Sequence, residues 1–149
     1  MNMKTILFPT DFSTPGDAGM SYATSLARDS GAMMIILHVE EPPPAYGSGE
    51  MYYGVPEPDN VALKKMLEAV VPTDNAVPFR HRLVTGDPAT EIVRVADEEG
   101  VDLIIMGTHG RTGLKRLLMG SVAEAVVRRA KCPVFTFKPP HGVGVEAVK

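Results

Sequence analysis

The chain has 149 residues, 44% apolar and 22% charged, an ordinary globular composition with enough length for one domain and one sizeable core. Its net charge of −3 gives no support to a nucleic-acid or anionic-membrane partner, and no apolar run approaches the roughly 20 residues of a membrane-spanning helix. The start, Met1 to Phe8, meets Pro9 and Asp11 too soon for a signal-peptide apolar region. Cys132 stands alone, so no internal disulfide can form, and the four scattered histidines have no zinc spacing. These features together lead us to expect a cytoplasmic protein.

Taken in order, Lys4 to Phe8 is a short buried strand ended by Pro9. Thr14 as N-cap with Pro15 at the first helical turn opens a helix whose Ala18, Tyr22, Ala23, Leu26 and Ala27 recur at helical spacing, with Gly31 as its stop. Met33 to Val39 is a second continuous apolar run, as in a strand covered on both faces. From Glu41 to Pro58 the pattern breaks into five prolines, three glycines and three tyrosines, an excursion over the surface. Leu63, Met66, Leu67 and Val70 mark a short helix closed by Pro72. Val77 to Val84 reads as a third strand, placed laterally because Arg80 and Arg82 suit a sheet centre poorly.

Asp87 as N-cap and Pro88 as first helical residue begin a helix with Ala89, Ile92, Val93 and Ala96 on its apolar face and Gly100 at its end. A fourth strand, Asp102 to Met106, runs into Gly107. Ser121-Val122-Ala123-Glu124 has the pattern of a capping box, followed by a stripe of Val122, Ala123, Val126, Val127 and Ala130. Pro133 to Phe137 is the last strand, and the tail 139–149 reads as loose. The alternation β-α-β-α-β-α-β-α-β requires parallel neighbours joined by right-handed crossovers, hence a single α/β domain with a doubly wound sheet.

In such sheets ligands lie beyond the carboxyl ends of the strands, where the strand order reverses. Two strand ends carry unusual loop chemistry: Pro9-Thr10-Asp11 after the first, and Gly107 to Gly110 after the fourth, with Gly120-Ser121 following after nine more residues. Glycines beside a helix N-terminus leave backbone amides exposed to an anion, and the helix dipole favours negative charge. Neither a P-loop nor a dinucleotide Gly-x-Gly-x-x-Gly is present.

The sequence resembles the universal stress protein family from Lys4 to about Lys138. The resemblance is carried by Ile6-Leu7-Phe8-Pro9-Thr10-Asp11-Phe12-Ser13, by Leu37-His38-Val39, and by Gly-x2-Gly-x9-Gly-Ser at Gly107, Gly110, Gly120 and Ser121. It implies strand order 3-2-1-4-5, a homodimer, and, because the glycine motif is complete, membership of the ATP-binding group. By position it implies that Pro9, Thr10 and Asp11 border adenine and ribose and that Val39 meets adenine through its backbone. Met106, Gly107, Thr108 and Gly110 would form the opposite wall, and Gly120, Ser121 and Val122 would hold the phosphates. Mg or Mn is the divalent metal that such a site would accept beside ATP. The Glu41–Pro58 segment and the tail depart from the common pattern.

Each residue also has a plainer reading. Singly, Gly107 and Gly110 would be turn glycines, and Ser121 a helix cap; a cap hydroxyl and a phosphate use the same amides, so the roles are compatible. Taken alone, Asp11 would cap the following turn; at a strand's carboxyl end after Pro9-Thr10, the ligand role is the better reading. His109 has no serine or cysteine nucleophile paired with it, so no catalytic residue is assigned. Arg111, Lys115 and Arg116 read as a solvated basic face, Leu114, Leu117 and Leu118 as a flap on the sheet edge, and Cys132 as an inert buried thiol. The expected function is an ATP-binding regulatory module in stress response, homodimeric through Val134 to Phe137 as an edge strand that invites pairing. A slow ATPase or nucleotidyl-transfer enzyme in the same crevice, and a nucleotide-free interaction module, are the alternatives.

Overall fold

The computed structural model describes residues 2–12, 16–42, 60–108 and 119–138, with the backbone alone for 16–18. In chain order these form β1 (Thr5–Pro9), α1 (Gly16–Ser30), β2 (Met33–Glu40), α2 (Asn60–Glu68), β3 (Phe79–Thr85), α3 (Pro88–Glu98), β4 (Leu103–Gly107), α4 (Ser121–Arg129) and β5 (Val134–Phe137). The five strands pair in parallel in the order β3-β2-β1-β4-β5, the doubly wound α/β sheet that the alternation demands. Thr14 and Pro15, most of the Pro/Gly/Tyr-rich segment, residues 109–118 and the tail lie outside the described residues.

The period of two along each strand divides the core into two layers. On one face Ile6, Phe8, Met34, Ile36 and Ile105 meet Met20, Ala23 and Ala27 of α1 and Leu67 of α2. On the other Leu7, Ile35, Leu37 and Ile104 meet Ala89, Ile92, Val95 and Ala96 of α3 and Ala123 and Val126 of α4. Both faces being covered, the central strands are apolar at successive positions rather than at alternate ones. Gly31 (φ 76°) and Gly100 (φ 64°) close α1 and α3 in the left-handed conformation that a glycine stop requires.

Two helix stripes differ by a residue from the sequence pattern. In α3 it is Val95, not Val93, that is fully buried; Val93 is half-buried at the flank of the same stripe. In α4 Val127 is 45% exposed while Val126 is sealed against the sheet. One step along a helix turns the side chain by about 100° and two steps by about 200°, so neither Val126 with Val127 nor Val93 with Val95 can share the buried centre.

β3 is lateral, as its arginines imply. Arg80 and Arg82 share the α3 face with their β2 partners Ile35 and Leu37. Arg80 pairs with Glu99, while Arg82 pairs with Glu98 and, at 2.7 Å, with Glu99. Arg80 first, then Arg82, holds the Glu99 carboxyl below the usual carboxylate range. At the amino edge Asp102 bonds the central strand to its neighbour, one carboxylate oxygen accepting the amides of Lys4 (2.8 Å) and Thr5 (3.0 Å).

Candidate functional site

The amino edge of the sheet is fastened and the carboxyl edge is split. β1 and β4 register Ile6 with Leu103 and Leu7 with Ile104. Beyond that, β1 stays with β2 as far as Pro9 opposite Leu37, and the Thr10 amide still donates to the Leu37 carbonyl at 2.8 Å. β4 stays with β5 as far as Gly107 opposite Phe137, and the Thr108 amide donates to the Phe137 carbonyl at 2.9 Å. The two central strands thus follow different neighbours at the same level. The chain leaving β1 crosses to one face and the chain leaving β4 to the other, which opens the crevice of a topological switch point.

One wall is the turn after β1. Pro9, Thr10 and Asp11 are half-buried there, and Val39 of β2 lies beside them, half-buried against the α3-side core. The turn is closed by the Thr10 hydroxyl, whose Oγ1 accepts the Phe12 amide at 3.0 Å. Phe12 takes φ 66°, a left-handed conformation rare for so large a side chain.

The other wall is the end of β4 and the start of α4. Met106 and Thr108 are buried and Gly107 is half-buried. The Gly120 amide donates to the Thr108 carbonyl at 2.7 Å, which ties the helix start to the strand end. Here the capping-box expectation is corrected. Gly120, with extended backbone (φ −65°, ψ 159°), is the N-cap, and its carbonyl accepts the Glu124 amide as the first helical bond. Ser121 is the first helical residue and exposed, one position past the cap. The Glu124 carboxylate faces Arg128 at 3.6 Å instead of reaching back to the cap. A glycine cap offers no side chain to the first amides of α4, so among the described residues no cap oxygen stands between these donors and the crevice.

Ten of the eleven residues singled out from sequence therefore gather at this edge: Pro9, Thr10, Asp11 and Val39 on one side, Met106, Gly107, Thr108, Gly120, Ser121 and Val122 on the other. Gly110 lies outside the described residues, as do His109 and the basic and leucine positions after it. α3 also starts at the carboxyl edge, with Asp87 as N-cap accepting from the Thr90 amide at 3.1 Å and Pro88 behind it. The Thr90 hydroxyl first, and its amide second, hold the Asp87 carboxyl below its ordinary range. Cys132 is half-buried, and burial pushes its thiol up, in keeping with an unreactive thiol.

Sequence reasoning missed two residues. His38 is buried, donates Nδ1–H to the Thr10 carbonyl at 2.8 Å, and lies 4.3 Å, centroid to centroid, from the Phe12 ring. Its signal was present: His38 follows Met34 and Ile36 at the spacing that faces the α1-side core, and a polar ring there requires a partner. Phe12 left no signal, because large aromatics seldom take positive φ.

Comparison with known proteins agrees with this fold. The family model described as "Universal stress protein family" matches residues 2–138. A universal stress protein of Methanocaldococcus jannaschii is 36% identical over 92% of this chain and 83% of its own length. A second from the same organism is 32% identical over 91% of this chain and 94% of its own. The solved structure of that second protein superposes with a TM-score of 0.70 at 31% identity, covering 94% of this chain and 99% of that one. Another universal stress protein, solved in complex with cAMP, has a TM-score of 0.63 at 26% identity over 94% of this chain and all of its own.

Proposed function

The chain belongs to the universal stress protein family, and from that premise we propose that it is an ATP-binding regulatory module of the stress response, acting in the cytoplasm. The observation that carries this reading is the start of α4. A glycine cap without a side-chain oxygen, fixed to β4 through Thr108, turns the first amides and the positive end of the helix dipole toward the crevice. Such an end suits a polyphosphate. Gly120, Ser121 and Val122 would hold the phosphates, with Gly107, Thr108 and Gly110 beside them and Met106 along the wall. Pro9, Thr10, Asp11 and the backbone of Val39 would border ribose and adenine. A family neighbour solved in complex with cAMP supports an adenine nucleotide as the ligand.

Mg or Mn would ride on the phosphates. Among the described residues no three His, Cys, Asp or Glu side chains converge, so the ion would draw most of its ligands from phosphate oxygens and water. The edge of β5 suits pairing with a second copy. Phe135 is 44% exposed on this outermost strand, and Tyr22 of α1, 59% exposed, has its ring 6.5 Å from it.

The deciding experiment is mass spectrometry of the small molecules released from natively purified protein, with wild type and Gly120→Val side by side. Adenine nucleotide from the wild type alone is the expected result. An empty wild type that also takes up no ATP at millimolar concentration would overturn the reading.

A further inference from the structure

We propose that His38 is the positioning residue of the crevice, its imidazole holding the Thr10–Asp11–Phe12 turn in the shape that presents Asp11 and the Val39 backbone to the nucleotide. The ligand part rests on the reading above; the turn part does not.

The argument starts at the last rung of the β1–β2 ladder. The Thr10 amide donates to the Leu37 carbonyl, and continuing a parallel ladder would bring the Thr10 carbonyl to the Val39 amide. The His38 ring sits on that carbonyl instead, at 2.8 Å. A carbonyl only accepts, so Nδ1 carries a hydrogen, and the neutral ring that makes this contact is the Nδ1–H tautomer. The face of the same ring packs on Phe12, and its Nε2 lies 3.8 Å from Oε1 of Glu40, further along β2. Only 4% of His38 is exposed.

One side chain thus ends the ladder at Thr10, takes up the carbonyl that leaves it, and covers the ring of the residue held at φ 66°. A left-handed phenylalanine is unfavourable on its own, and such a conformation persists only where neighbours over-determine it. The Thr10 hydroxyl supplies one restraint and His38 the other two. Asp11 sits between the two residues His38 touches. Removing the imidazole should therefore loosen the presentation of Asp11 without disturbing the phosphate wall on α4.

The test uses the full chain and two variants. His38→Leu keeps apolar bulk and removes the donor, whereas His38→Asn puts an amide nitrogen at the branch position of Nδ1. Nitrogen-correlated NMR of the wild-type ring should show the Nδ1–H tautomer. Amide exchange at Phe12 should quicken in the leucine variant and recover in the asparagine variant. ATP affinity by calorimetry should fall about tenfold in His38→Leu and return to within about threefold in His38→Asn, the scale of one hydrogen bond.

An Nε2–H tautomer, or a folded His38→Leu with unchanged Phe12 exchange and ATP affinity, overturns the proposal, even where its melting temperature drops. If the leucine variant does not fold, the wild-type tautomer and the asparagine variant decide. If the wild type binds no ATP, the nucleotide reading falls, and tautomer and exchange still judge the turn.

Discussion

Gly19 of α1 and Phe137 of β5 touch so closely that a Cβ on the glycine would fall 1.9 Å from the ring's Cζ. The ring is buried and stacks on Phe8 at 6.5 Å between centroids, so it has little room to retreat. The Phe137 carbonyl in turn accepts the Thr108 amide, and the Thr108 carbonyl accepts the Gly120 amide. A contact made at α1 therefore bears on the helix start proposed to hold the phosphates.

Gly19→Ala should destabilise the fold by about 1–3 kcal/mol, the usual range for overpacking. Urea unfolding measures it. Phe137→Leu shortens the ring side of the clash, so the double variant should lose less than the sum of the two single ones. Strict additivity would mean that the two residues do not meet.

Ser121→Ala separates two roles that sequence alone leaves merged. Because Gly120 and not Ser121 is the cap, the alanine variant should keep its unfolding free energy within about 0.5 kcal/mol, as at an ordinary surface position. Its ATP affinity should fall by about three- to tenfold, the loss expected of one hydrogen bond to phosphate. A drop of a full cap's worth in stability would reinstate Ser121 as the cap.

Asp102→Ala removes the acceptor shared by the Lys4 and Thr5 amides. Thr5 is half-buried, so an unmet amide is expensive there, and the loss should be about 1–3 kcal/mol. Hydrogen exchange at the two amides is the direct readout: both should speed up, Thr5 more than Lys4.

Asp87 gives a pH signature. Its carboxyl is held below the ordinary range by Thr90, so its contribution is present above the unfolded-state value, about 3.9, and is lost as pH falls through the lower folded value. Thermal unfolding of wild type and Asp87→Ala should thus differ by a few degrees at neutral pH, and the gap should close in acid. A gap of equal size at the most acidic pH where both still fold would contradict the cap.

Much of this molecule is written in local physics. The unbroken apolar runs at β1, β2 and β4 announce strands covered on both faces, glycines at 31 and 100 end helices, and Asp87-Pro88 starts one. The arginines of β3 foretell its lateral place, although the carboxylates that receive them lie on α3 and at Glu99, and no spacing rule brings those together. The errors arise where two neighbours satisfy the same local rule. Ser121 with Glu124 is a stronger capping pattern than a bare glycine, yet the tertiary bond from the Gly120 amide to Thr108 settles the helix start one residue earlier. Val93 and Val95 both fit a helical stripe, and only packing on the sheet chooses between them. In the crevice the turn at Pro9–Asp11 and the glycines at 107 and 120 are legible from glycine and proline chemistry, whereas Val39, Met106 and Val122 come only with the family resemblance. Their support, His38 beneath a left-handed Phe12, depends on contacts across β1 and β2 that no periodicity encodes.

The place of β1 at the middle of the sheet has a consequence for biosynthesis. Of the five strands described, β1 leaves the ribosome first and waits for two partners, and the later of them, beginning at Leu103, is made only after α1, β2, α2, β3 and α3. Until then Ile6 and Leu7 have one flank unpaired, and the split between β1 and β4 does not exist. Parallel pairing over so long a stretch of chain is intrinsically slow, so the nascent protein spends that interval as a half-built, adhesive sheet. A ligand that needs both lips of the crevice cannot recognise such an intermediate. Its capture would mark the moment at which synthesis has passed α4 and the domain has closed on itself.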